Sequence, residues 1–207
     1  MGALPMFPLG SVLLPGDLLP LHIFEPRYRA LVRHCLAAEL PEFGVVLIER
    51  GREVGGGDVR RDVGTVARLV QLAETPDGRY AAIAVGVRRV RVTRWLADDP
   101  YPQAEVEDWP EADDDPLDAG AFALTLEPRV RAAAALATRA GDPSGSADGK
   151  LQPDPVMGSY QLVTMAPLGA ADRYELLCCP GPLARLHRLE GLLQDVEAVL
   201  RFRLEGS

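Results

Sequence analysis

A change of period near residue 111 constrains this chain most. Before it, short runs of β-branched and aromatic residues are separated by turn signals. After it, the chain is rich in Ala and Leu, and apolar residues recur at three and four. The first pattern belongs to strands and the second to helices. The acidic stretch Glu111, Asp113, Asp114 and Asp115 marks the change. The reading is an α+β chain: an antiparallel sheet or small barrel with one inserted helix, followed by a helical subdomain. Its boundaries are set at 1–112 and 113–207.

In the first part, Leu4 to Leu9 is apolar but broken by Pro5 and Pro8, which suits an edge strand. Val12-Leu13-Leu14 meets the turn signal Pro15-Gly16-Asp17, and Leu18 to Phe24 is a second apolar run containing His22. Pro26 opens a helix, with Tyr28, Leu31, Val32, Cys35 and Leu36 on one face and Pro41 as its stop. Phe43 to Ile48, Gly64 to Leu72 and Tyr80 to Val85 read as strands, the last two joined by the Pro76-Asp77-Gly78 turn. Gly51–Asp58 reads as a mobile loop. After Gly86, the run Val87 to Thr93 nearly alternates apolar and basic residues, a half-buried strand with a basic outer face. Tyr101 to Trp109 completes the sheet.

In the second part, Leu117 to Leu126 and Arg129 to Arg139 read as helices broken or kinked at Pro128. Gly141 to Gly149 reads as a flexible link. Asp154-Pro155 supplies an N-cap and first helical position for a helix to about Met165. Ala170 to Cys178 is a short helix, and Pro182 opens the longest one, with leucines at helical spacing to Leu204.

Several chemistries are excluded. The only lysine, Lys150, follows Gly145-Ser146-Ala147-Asp148-Gly149 and precedes Leu151. That glycine spacing is one short for a phosphate-binding loop, and leucine cannot ligate magnesium. A Ser–Lys dyad needs a desolvated lysine, which a polar loop does not provide. His22, His34 and His187 have no partners at metal-ligand spacing apart from Cys35 beside His34, and adjacent helical residues point apart and chelate poorly; the adjacent Cys178-Cys179 is not C-x-x-C. Ser11 is not in a nucleophile elbow. No catalytic, metal or cofactor site is expected. The net charge of −8 opposes general nucleic-acid binding. Three cysteines without a framework fit a reducing, cytoplasmic setting, and no segment reads as a signal peptide or membrane span. Arg88, Arg89, Arg91 and Arg94 form the one basic cluster. It can serve RNA or an acidic partner, or be a solvated strand face.

The order of motifs resembles the N-terminal, substrate-binding domain of Lon proteases. The resemblance rests on Pro5-Met6-Phe7-Pro8-Leu9, Val12-Leu13-Leu14-Pro15-Gly16 and Pro20-Leu21-His22-Ile23-Phe24-Glu25-Pro26-Arg27-Tyr28, then Phe43 to Ile48, Gly64-Thr65-Val66-Ala67, Asp77-Gly78-Arg79 and Gly86 to Val92. It implies a PUA-like β-barrel and closing helices, together one domain. It further implies a free-standing, non-catalytic module lacking the AAA+ and Ser–Lys peptidase parts. Such domains are associated with recognising protein substrates and with self-association. The expected partner is therefore a polypeptide, with RNA or nucleotide binding through the barrel as the alternative. Ligand contacts are sought first at Arg88, Arg91, Trp95 and Tyr101. In the family motif, Phe24 and Tyr28 are expected to pack, and Glu25 and Arg27 to pair or cap.

Overall fold

The computed structural model describes residues 3–53, 57–112, 115–142 and 149–205. Residues 54–56 of the expected Gly51–Asp58 loop, residues 143–148 of the expected Gly141–Gly149 link, and the acidic residues 113 and 114 lie outside the described residues. The chain divides into two compact units, Met1–Pro110 and Glu111–Ser207.

The first unit has six strands and one helix: β1 (Leu4–Leu9), β2 (Leu18–Ile23), α1 (Pro26–Ala37), β3 (Glu42–Arg50), β4 (Val59–Glu74), β5 (Tyr80–Trp95) and β6 (Gln103–Asp108). The sheet order is β2-β5-β4-β3-β1-β6, and β6 pairs again with β5. Five strands therefore close into a ring, and β2 is left as an edge. Long β5 makes this possible. Its Tyr80–Val85 half pairs with β2, and its Val90–Trp95 half pairs with β6. Gly86 stands between the halves, where a Cβ would lie 2.2 Å from the Leu14 carbonyl oxygen. Only glycine admits that approach of backbones.

Two strand expectations change. β1 is not an edge: it pairs with β3 and, through Leu4 and Pro5, with β6. β6 stops opposite Leu4 and Pro5, so Pro8 removes no bond on that side. The β1–β3 pair is parallel in an otherwise antiparallel sheet. The intervening β2 and α1 supply the long crossover that a parallel pair requires.

Helix α1 covers the barrel core. Its Tyr28, Leu31, Val32 and Cys35 join Phe7, Phe43, Val45 and Ala84 in one cluster, with Tyr28 stacked on Phe7 at 4.0 Å. The leucine, valine and phenylalanine side chains among these each contribute roughly 1.5–3 kcal/mol by leaving water. Burial pushes the Cys35 thiol and the Tyr28 phenol each up to about 12. Both stay protonated in the fold, whereas in the unfolded chain they ionise at about 8.5 and 10. Their stabilisation is fully present below the unfolded values and is lost as pH rises toward the folded ones. The melting temperature should therefore fall between about pH 9 and 12. A thiol reagent at pH 8 should find Cys35 unreactive until the protein unfolds; prompt labelling of Cys35 would contradict this packing.

The second unit contains α2 (Pro116–Arg139), α3 (Pro155–Met165), α4 (Ala170–Leu177) and α5 (Pro182–Glu205). Asp115 and Asp154 cap α2 and α3 by accepting from the Leu117 and Met157 N–H groups. Of the break or kink expected at Pro128, the break is absent, and α2 runs through it. Pro128 is exposed, so the carbonyl it leaves without a donor, that of exposed Leu124, faces water. α2 and α5 pack in parallel, as Phe122 against His187 and Arg129 to Glu197 at 2.7 Å show.

Candidate functional site

Strand β2 begins after a turn in which Gly16 has φ +88° and the Asp17 N–H donates to Leu14 O. Its side chains alternate: Leu21 and Ile23 are buried, while Leu18, Pro20 and His22 are exposed. Its backbone alternates too. The Gly86 N–H donates to Asp17 O at 2.9 Å. Continuing the register from that bond turns the polar groups of Leu19, Leu21 and Ile23 toward β5, and those of Leu18, Pro20 and His22 away from it. Pro20 thus occupies a position whose N–H would bond nothing on β5. Among the described residues nothing pairs with the outer side of β2.

The outward faces of β2, β5 and β4 form an apolar surface. Register aligns His22 with Ala81 and Ala73, Pro20 with Ile83 and Gln71, and Leu18 with Val85. Leu18 is 68% exposed and Val70, at the β4 bulge, 51%. The outer face of an antiparallel sheet is ordinarily polar. Here small and apolar side chains floor a 600 Å³ groove over Pro20, Ala73, Ala81 and Ile83. It adjoins a 490 Å³ groove bordered by Phe24, Pro76 and Tyr80. On the core side of β2 a cleft of 280 Å³ is lined by Phe7, Leu9, Leu19, Leu21, Tyr28, Glu25 and Glu53. His22 borders all three.

The motif after β2 departs from expectation at Phe24, while Glu25 and Arg27 pair, one of the two roles expected of them. Tyr28 packs, but Phe24 is half exposed on the groove rim. Glu25 makes no side-chain cap on α1; instead it accepts from Arg27 Nε at 3.1 Å. Arg27 also donates to Glu53 O and lies 4.5 Å over the Tyr28 ring. The Glu53 carboxylate accepts the Gly10 N–H at 2.5 Å.

The residues singled out on the basic strand lie elsewhere and line none of these clefts. Arg88 is held by Glu42 at 2.8 Å and Asp108 at 2.9 Å. Burial would raise the Glu42 pKa, but hydrogen bonds from Arg88 and Arg68 outweigh it and hold the carboxyl below its ordinary value. Arg91 stacks on Trp109 at 4.3 Å. The Trp95 Nε1–H donates to Asp62 at 3.3 Å, and Arg60 lies over its ring. Tyr101 is buried, with its hydroxyl 2.6 Å from His34 Nδ1. Arg89, expected on a solvated face, is 3% exposed. The Leu18–Ile23 face was missed because its apolar run reads as buried. Pro20 inside it was the available signal for an edge.

Among the described residues no group of three or more His, Cys, Asp or Glu could hold a metal ion. No described helix is long and apolar enough to cross a membrane. A closed sheet with one covering helix in the first unit and four helices in the second place the chain in the α+β class. Residues 3–195 match the family described as the ATP-dependent protease La (LON) substrate-binding domain, and the chain belongs to that family. It is 35% identical over 107 residues, half of this chain, to a Lon protease of Anaeromyxobacter dehalogenans. It is 34% identical over 107 residues to Lon protease 2 of Myxococcus xanthus. The aligned parts cover only 12% and 13% of those proteins. A Lon N-terminal domain protein from Xanthomonas campestris has a similar structure, with TM-score 0.66 and 31% identity, covering 94% of this chain and 98% of that one. The N-terminal domain of a Mycobacterium avium complex Lon protease shares the fold, with TM-score 0.65 and 18% identity over 95% of this chain and 98% of that one.

Proposed function

We propose that this chain is a non-catalytic module that recognises polypeptides in the cytoplasm, in connection with proteolysis, and that the face around β2 is its binding surface. The observation that carries the reading is the exposed apolar floor of Pro20, Ala73, Ala81 and Ile83 beside an unpaired strand edge. Such a surface on a folded protein is a site for apolar segments. Membership of a family named for substrate binding agrees with it. Self-association through the same face is an outcome that the binding test below also reads.

Less supports the RNA alternative. Arg88 and Arg94 are paired with carboxylates, and Arg89 and Arg91 lie against Trp109. Phosphate neutralisation requires cations free to displace counterions.

The test is fluorescence anisotropy with a labelled, permanently unfolded protein. Ile83→Asp together with Ala81→Asp should weaken binding by about tenfold or more, because apolar contact is replaced by hydrated charge. The barrel's circular dichroism should be unchanged. Equal affinity of the variant would mean that polypeptide does not bind this surface. Sedimentation of the unmixed protein reports whether a second copy uses the same face.

A further inference from the structure

We infer that the free edge of β2 takes up an extended segment as an added strand, and that the segment it selects carries an arginine or lysine between two large apolar residues. This rests on the reading of the β2 face as the polypeptide site. It adds the mode of binding and the chemistry of the ligand.

The mode follows from the backbone. Leu18 and His22 direct both N–H and C=O away from β5, and Pro20 directs its C=O there. That edge offers two donors and three acceptors at the spacing of a strand ladder. β2 has six residues, so the added segment is about six residues, roughly 20 Å, long. Pro20 limits the edge to one interrupted row. It does not close it, because its carbonyl still accepts.

The ligand chemistry follows from the two sides of the edge. Side chains of an added strand alternate between them. On the outer side they meet Pro20, Ile83, Ala81 and Ala73, which suit large apolar groups. On the core side the intervening residue meets the 280 Å³ cleft. Its walls are the apolar Leu9, Leu19 and Leu21 and the aromatic Phe7 and Tyr28, and Glu53 borders it. The other carboxylate lining it, Glu25, is already engaged by Arg27. Glu53 binds the Gly10 N–H, and among the described residues no cation pairs with its carboxylate. An apolar passage ending at an unneutralised carboxylate complements a long aliphatic stem with a cationic head. A glutamate there would face Glu53 with like charge.

The experiment uses the full chain and capped, fluorescein-labelled hexapeptides built on Ile-Arg-Ile. One pair is N-methylated at alternate amides in each of the two phases. Another replaces the central Arg by Glu. Methylation in one phase should lower affinity about tenfold or more and in the other less than about threefold, since only one phase faces β2. The Arg→Glu peptide should bind about tenfold more weakly. Glu53→Gln, which keeps the acceptor for Gly10, should reduce that preference to under about threefold. Equal loss in both phases overturns strand addition, and an unchanged preference in E53Q overturns the charge assignment. In either case the broader polypeptide reading stands. No binding by any apolar peptide overturns both.

Discussion

Replacing Arg185 by alanine should destabilise the helical unit by about 3–5 kcal/mol, the cost of stripping one partner from a buried charged network. Arg185 is fully buried in α5. Its Nε donates to Leu176 O at 3.1 Å, and Nη1 donates to Ser159 Oγ at 2.7 Å. Nη2 donates to Glu111 Oε2 at 2.7 Å and to the Tyr160 hydroxyl at 2.8 Å. The guanidinium lies 3.7 Å over the Tyr160 ring, and Tyr160 donates onward to Glu111 at 2.6 Å. One side chain thus ties α3, the end of α4 and the start of the unit to α5. Alanine would remove this guanidinium from Glu111 and from Ser159 Oγ, and would leave Leu176 O to the Cys179 N–H. Lysine keeps the charge but lacks the planar fork, so R185K should fall between the two. Urea denaturation followed by far-ultraviolet circular dichroism checks this. A loss below about 1 kcal/mol in R185A would show that the network is dispensable.

The second large effect is expected in the barrel. Gly64→Ala would set a Cβ 2.2 Å from Val45 O and 2.7 Å from Val46 Cγ1. The first contact is with backbone, so rotamer change cannot relieve it. β4 must move from β3, at a cost of at least the ~1–3 kcal/mol of an overpacked core. Gly120→Ala is the matched control. It lies in α2, where a Cβ meets nothing closer than Pro155 Cγ at 3.9 Å. Helix propensity predicts a gain of about 0.5–1 kcal/mol there. Thermal melts of both variants should move in opposite directions; a neutral G64A would mean that β3 and β4 are less closely held than described.

Local patterns made most elements legible. Pro26 and Asp154-Pro155 mark helix starts because proline and a capping carboxylate suit positions that lack helical donors. Tyr28, Leu31, Val32 and Cys35 declare the buried face of α1 by spacing alone. What failed depends on contacts distant in sequence. Pro128 looked like a break or a kink, and α2 continues through it with the proline exposed to water. Leu4 to Leu9 looked like an edge, and its neighbours β3 and β6 come from residues 42–50 and 103–108. The arginine strand looked like a candidate surface because its partners, Glu42, Glu105 and Asp108, are far along the chain. The β2 face was hidden for the opposite reason: an apolar run gives no local sign that the sheet leaves one of its sides uncovered.

Binding of polypeptide at the β2 face is read most directly by photo-cross-linking. An unfolded protein carrying a photoreactive side chain is irradiated with the full chain, and the attachment sites are mapped by mass spectrometry. Adducts should concentrate on Leu18–Phe24 and on residues 70–85, and should fall when the Ile83→Asp, Ala81→Asp variant is used. Adducts concentrated on the Arg88, Arg91 and Trp95 strand, or spread evenly over both units, would contradict binding at the β2 face.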